Sequence, residues 1–136
     1  MRRLALLSVC LLALVPAFAT AFAAGPKGTI DKSWISTTSG GDRQASFSSA
    51  KVKRLYANFT WKNPAKPGQV LRIEWHDPAG ALRAVWKATT IKDDKKGTRL
   101  YSWIGNGVVK GKLGSWSAVL TVGGTQIGRS KFKIVA

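Results

Sequence analysis

Glu74, His76 and Asp77 stand close enough along the chain to do acid-base or metal chemistry. Glu74 and His76 are at i and i+2 of an alternating segment, so in an extended strand their side chains share a face, with Asp77 at the adjoining turn. Such a trio can relay a proton or hold a metal ion. His76 is the one histidine and Cys10 the one cysteine, however, so no second imidazole or thiolate is present to complete a metal shell. We therefore expect an outward polar face entering a hairpin turn, with no metal, no cofactor and no catalytic role. Asp93 and Asp94 have the composition of a weak calcium loop, but Lys92, Lys95 and Lys96 flank them and predict a solvated turn of offsetting charges.

Two further patterns fail on geometry or spacing. Ser48-Ser49-Ala50-Lys51 and Ser130-Lys131-Phe132-Lys133 match the Ser-x-x-Lys pattern of serine acyl-transfer enzymes. That chemistry needs Ser and Lys one helical turn apart, whereas i and i+3 point to opposite faces of a strand. The stretch from Gly105-Asn106-Gly107 to Gly111-Lys112 resembles a phosphate loop only in composition. A P-loop has four residues between its outer glycines and Ser or Thr after the Lys, but here the spacing is longer and Leu113 follows. A dinucleotide fingerprint fails at Lys110, where it needs glycine.

The elements that would position these residues begin after an export signal. Arg2 and Arg3 form a basic start, residues 4–15 an apolar run ended by Pro16, and Ala21-Phe22-Ala23 a small-residue cleavage site. The run is too short for the roughly 20 residues of a membrane-spanning helix. We expect residues 1–23 to be removed, leaving residues 24–136 as a single cysteine-free domain in the periplasm, envelope or medium, with no transmembrane segment. Cys10 lies too early, after Val9, to serve as a lipoprotein cysteine. At this size a core can hold a domain without disulfides, which argues against the small disulfide-rich secreted classes.

The remaining chain alternates with period two between turn signals. Leu55, Ala57, Phe59 and Trp61 face one side of a strand and Arg54, Tyr56, Asn58 and Thr60 the other. Leu71, Ile73 and Trp75 repeat the pattern against Arg72, Glu74 and His76. Asp77-Pro78-Ala79-Gly80 predicts a type I turn. The next strand is read with Leu82, Ala84, Trp86 and Ala88 inward. A glycine-rich connection, read without a helix, ends at Gly114. Trp116, Ala118, Leu120 and Val122 then lead to a Gly123-Gly124 hairpin, and Phe132 and Ile134 point inward on the last strand. With weaker strands at residues 29–36 and 44–47, seven or eight antiparallel strands are expected. Their spacing predicts an immunoglobulin-like β-sandwich. The alternative is a five-stranded OB-like barrel, which usually carries a helix not visible here.

The ending Gly114-Ser115-Trp116-Ser117-Ala118-Val119-Leu120, Gly123-Gly124 and Phe132-Lys133-Ile134-Val135 resembles the last hairpin of bacterial immunoglobulin-like domains, as does Trp75-His76-Asp77-Pro78-Ala79-Gly80 in mid-chain. The resemblance implies the sandwich and brings no catalytic residues with it.

Charge carries most of the functional information. Lys and Arg total 22 against 6 Asp and Glu, a formal net charge of +16. Only Arg2 and Arg3 of those cations leave with the signal. A field of this size costs stability by self-repulsion and concentrates anionic partners. The alternation places Arg54, Arg72, Arg83 and Lys87 outward, together with Arg129, Lys131 and Lys133 on the last strand and Lys110 and Lys112 in the loop. We expect a non-enzymatic binding module whose residues Arg129, Lys131, Lys133, Lys110 and Lys112 engage an anionic envelope polymer or an acidic protein. Nucleic acid is not the expected partner.

The alternative is a carbohydrate-binding surface. The chain has 6 Trp; Trp61, Trp75, Trp86 and Trp116 are assigned to the core, and Trp34 is unconstrained. One phase of residues 99–104 exposes Arg99, Tyr101 and Trp103 together, a row able to stack on sugar rings. The opposite phase, which buries Tyr101 and Trp103, is the one we expect. Asn58-Phe59-Thr60 also matches a glycosylation sequon.

Overall fold

The computed structural model describes residues 27–90 and 92–136; the expected signal segment 1–23 lies outside them. Eight strands and one short helix follow in order: β1 (Thr29–Ser36), β2 (Ser46–Ser48), β3 (Arg54–Asn63), β4 (Val70–His76), β5 (Leu82–Thr89), β6 (Arg99–Gly105), α1 (Asn106–Val109), β7 (Gly114–Val122) and β8 (Thr125–Val135). They form a three-stranded sheet, β1-β3-β6, and a five-stranded sheet, β2-β8-β7-β4-β5. Each sheet has two free edges, so the architecture is a sandwich and not a closed barrel. One pairing departs from the expected antiparallel pattern: β2 runs parallel to β8, with Ser46 opposite Lys133.

The sandwich closes because one face of each strand is apolar. Phe59 and Trp61 from β3 meet Ile73 and Trp75 from β4, Trp116 and Leu120 from β7, and Phe132 and Ile134 from β8, all buried. Phe132 centres the aromatic part, with ring centroids 5.9 Å from both Phe47 and Trp75 and 6.2 Å from Trp116. Aromatic pairs at these separations add to the area they bury. The β7–β8 hairpin needs positive φ at both turn residues, and Gly123 (54°) and Gly124 (82°) supply it.

Three readings are corrected. The glycine-rich connection contains one helical turn, α1, whose Val109 is fully buried. Asn106 fixes that turn by donating from Nδ2 to the carbonyls of Ser49 (2.7 Å) and Val52 (3.0 Å). Leu82 is exposed instead of inward, because the β4–β5 register shifts between Trp75 and His76. Trp86, Ala84 and Ala88 are only half-buried, since β5 is an edge strand with no third layer over it.

Candidate functional site

The outer face of the small sheet carries the row that the sequence reading placed inside. Leu100, Ser102 and Ile104 point into the core, so Arg99, Tyr101 and Trp103 point out, with Tyr101 44% and Trp103 48% exposed. The expected burial of Tyr101 and Trp103 is therefore corrected. The cause is Ser102, a polar residue at an inward position, whose Oγ accepts the indole N–H of buried Trp75 at 3.2 Å. That bond removes the cost of burying the hydroxyl and fixes the phase of β6.

Register then assembles the face. Tyr56 lies opposite Trp103, Asn58 opposite Tyr101 and Thr60 opposite Arg99. The Arg54 guanidinium sits 4.2 Å from the centroid of the Trp103 ring, and that of Arg99 sits 4.5 Å from Tyr101. Tyr56 and Tyr101 are 6.4 Å apart. Beside this face, between the β5 and β6 edges, lies a groove of about 480 Å³ lined by Val85, Trp86, Arg99, Tyr101 and Trp103 among others.

Asn58 explains why Arg99 is held. It occupies an outward position yet is 0% exposed, because residues 36–41 fold over it. Its Nδ2 donates to Ser36 Oγ (3.0 Å) and to the carbonyls of Trp34 and Tyr56 (both 3.3 Å). Its Oδ1 accepts from Gly40 N (3.2 Å) and from Arg99 Nη1 (2.8 Å). Arg99 Nη2 donates in turn to Ser39 Oγ at 2.9 Å. An amide so enclosed is no glycan acceptor in the folded chain.

The cationic row lies on the outer face of the large sheet. Arg129, Lys131 and Lys133 are exposed and alternate with Ser130, Phe132 and Ile134, which are buried. Their β7 neighbours across the ladder are Val119, Ser117 and Ser115, and Lys133 faces Ser46 on β2. The loop holding Lys110 (exposed) and Lys112 (half-buried) runs into Gly114, which pairs with Ile134, so both lie toward the Lys133 end of the row. Among the described residues only Arg72 and Arg83, of all Lys and Arg, lie within ion-pair distance of a carboxylate.

The Glu74, His76 and Asp77 trio does not converge. His76 Nε2 is 3.2 Å from Glu74 Oε2 and Arg72 Nη2 is 3.3 Å from Glu74 Oε1. Glu74 and His76 form one wall of a shallow trough of about 680 Å³ on the large sheet, and Arg129 and Lys131 are part of its opposite side. Asp77 serves the turn instead: its Oδ1 accepts from Ala79 N and Ala81 N, both 2.9 Å, and its Oδ2 from Arg83 Nε at 2.6 Å. No group of three metal-ligating side chains occurs among the described residues. Asp94, read as purely solvated, accepts the Trp61 indole N–H at 3.2 Å.

The Arg83 hydrogen bond lowers the Asp77 pKa, against desolvation that raises it; the Ala81 and Ala79 amides lower it further. A depressed folded-state pKa makes this carboxylate stabilising above its unfolded pKa, and the contribution fades as pH falls through the folded value. Asp77→Asn should therefore melt below the parent at neutral pH, the gap narrowing below about pH 4. Melting curves across pH check this; a gap independent of pH contradicts it.

Comparison with known proteins supplies a fold and no more. The sequence matches no family model and no curated protein. Among solved structures it is similar to an immunoglobulin-like protein from Pseudomonas aeruginosa, at 11% identity and TM-score 0.50, over 82% of this chain and 100% of that one. The fold is immunoglobulin-like. Two weaker likenesses are to larger proteins. One is an alkylpurine DNA glycosylase, AlkC, from Pseudomonas fluorescens (12% identity, TM-score 0.49, 82% of this chain and 31% of that one). The other is β-glucosidase 3B from Thermotoga neapolitana (13% identity, TM-score 0.36, 75% and 17%). In this immunoglobulin-like sandwich the two candidate surfaces occupy the outer faces of different sheets, so their contributions to binding are separable by substitution.

Proposed function

We propose that the chain is an exported, non-enzymatic binding module whose β8 row holds an anionic envelope polymer or an acidic protein. The observation that carries this reading is that none of the row's three cations lies within ion-pair distance of a carboxylate among the described residues. Arg129, Lys131 and Lys133 face only Val119, Ser117, Ser115 and Ser46 across their ladders. Three like charges at two-residue spacing stabilise nothing by themselves, and only water, salt and the more distant Glu74 across the trough temper their repulsion. An anionic chain laid along the strand neutralises them together, with Lys110 and Lys112 extending the track.

Replacing Arg129, Lys131 and Lys133 with Gln should leave the melting temperature unchanged or slightly raised. It should lower the salt concentration that elutes the protein from heparin or from an anionic wall-polymer resin. The salt dependence of binding should flatten as well. Equal elution of two folded proteins would remove β8 as the binding face.

A second reading, a carbohydrate-binding surface at Arg99, Tyr101 and Trp103, is favoured by the exposure of both rings. A guanidinium lies over one face of each ring, so a sugar would meet the part of the ring that it leaves exposed, and such apolar contact responds little to salt.

A further inference from the structure

We infer that the free edge of β6 takes an extended segment of an acidic protein partner, which joins the small sheet as a further strand and lies over the inner face of β5. This site is separate from the β8 row and does not rest on it.

The backbone of β6 fixes which groups are free to pair. At the two ends of the β3–β6 ladder, Trp61 N donates to the Thr98 carbonyl (3.1 Å) and Asn106 N to that of Lys53 (3.0 Å). Hydrogen bonding alternates along an antiparallel pair, so Leu100, Ser102 and Ile104 turn their amides and carbonyls toward β3. Those of Arg99, Tyr101 and Trp103 turn to the free edge and have no partner among the described residues. The other three sheet edges carry features that discourage pairing. β1 has two register shifts and Lys32, β2 is three residues long, and β5 has a register shift and Lys87. β6 has seven residues, an unbroken register and neither Lys nor Pro. Its one charged side chain, Arg99, is tied back to Asn58 and Ser39.

The large sheet supplies a floor for the added strand. Ser102 on β6 bonds Trp75 on β4, so β6 stands over β4, and the next position in the small sheet lies over β5, the neighbour of β4. There the inward residues Ala84, Trp86 and Ala88 are only half-buried. The groove of about 480 Å³ is lined by Ala84, Val85 and Trp86 and by every residue from Arg99 to Trp103. Consecutive residues of both phases line it because it runs along the backbone edge itself. A strand placed there bonds β6 through its main chain and covers the β5 residues with its own alternate apolar side chains, the mode of β-strand addition. The ring faces under Arg54 and Arg99 play no part.

Charge selects the partner. β3, β5 and β6 contain no Asp or Glu, and Arg54 and Arg99 lie on the outer face that the added strand extends. Acidic residues at the outward positions of the segment pair across the ladder with Arg99. A second copy of this chain would instead set one strongly basic protein, formal net charge +16, against its like.

The probe is a capped peptide of about nine residues alternating Glu and Val, titrated into the whole protein by calorimetry. Two further peptides carry N-methyl groups on all the Glu or on all the Val residues and keep the same charge. Only one edge of a bound strand faces β6, so one methylated peptide should lose affinity by about tenfold or more while the other binds as the parent peptide does. A neutral peptide alternating Thr and Val should bind about tenfold more weakly than the acidic one. Tyr101→Pro removes an amide that bonds nothing in the fold, and Ala84→Lys sets a charge in the floor; each should weaken binding by about tenfold. Ala84→Lys leaves β6 intact should Tyr101→Pro fold poorly. The β8 triple Gln variant should bind within about twofold of the parent. Equal loss or equal retention in the two methylated peptides, or weakening confined to the β8 variant, would overturn the site and leave the β8 reading standing. Equal affinity for the neutral peptide would overturn the acidic partner, and binding of no peptide would overturn the proposal. A dimer in light scattering that Tyr101→Pro disperses would assign the edge to a second copy and overturn it as well.

Discussion

Trp116→Ala should destabilise the protein by about 3 to 5 kcal/mol, the cost of removing a large side chain from a packed interior. Trp116 is 1% exposed and stacks on Phe132, and its indole N–H bonds the Lys112 carbonyl at 2.8 Å. Alanine empties the cavity and strands that carbonyl together. Small domains have only about 5 to 15 kcal/mol in total, so this change takes a large share of the stability. We expect urea and thermal unfolding to show a fall in Tm of roughly 10 °C or more. A variant melting within about two degrees of the parent would mean that the indole is not packed as described.

Asn58→Leu is the second large effect, on the order of 2 to 4 kcal/mol. Leucine keeps the volume and removes every hydrogen bond of the amide. The Gly40 N–H and the Arg99 guanidinium then lose their shared acceptor, and Ser36 its amide donor. Equilibrium unfolding measures the loss, and hydrogen exchange at Gly40 should quicken as residues 36–41 release. Unchanged stability and unchanged exchange would show that this network is ornamental to the fold.

Much of the sandwich was legible because period-two alternation reports burial directly. Leu71, Ile73 and Trp75, the turn at Asp77, and the Trp116 to Val122 strand all sit where their pattern places them. The outward phase of Arg129, Lys131 and Lys133 was readable for the same reason. Alternation failed where a hydrogen bond or a register shift outweighed hydropathy. Ser102 is polar and buried because Trp75 satisfies it, so the apparent phase of β6 inverted and the aromatic row was misplaced. Asn58 stands on an outward position and is buried because a distant loop covers it, a long-range contact that no local pattern records. Leu82 follows the alternation and is exposed because the β4–β5 ladder slips beside it.

The position of β8 has a consequence for how the chain reaches this state. That strand lies between β7 and the parallel β2, and it contributes Phe132 and Ile134 to the core. β2 has no other partner in its sheet, and Phe47 on it packs edge-on against Phe132. During synthesis the segment from Ser46 to Ser48 must therefore wait, unpaired, until residues 125–135 emerge. The pairing joins segments far apart in sequence, the non-local β topology that is associated with slow folding. A nascent chain halted before Thr125 keeps its aromatic interior open to solvent and to chaperones.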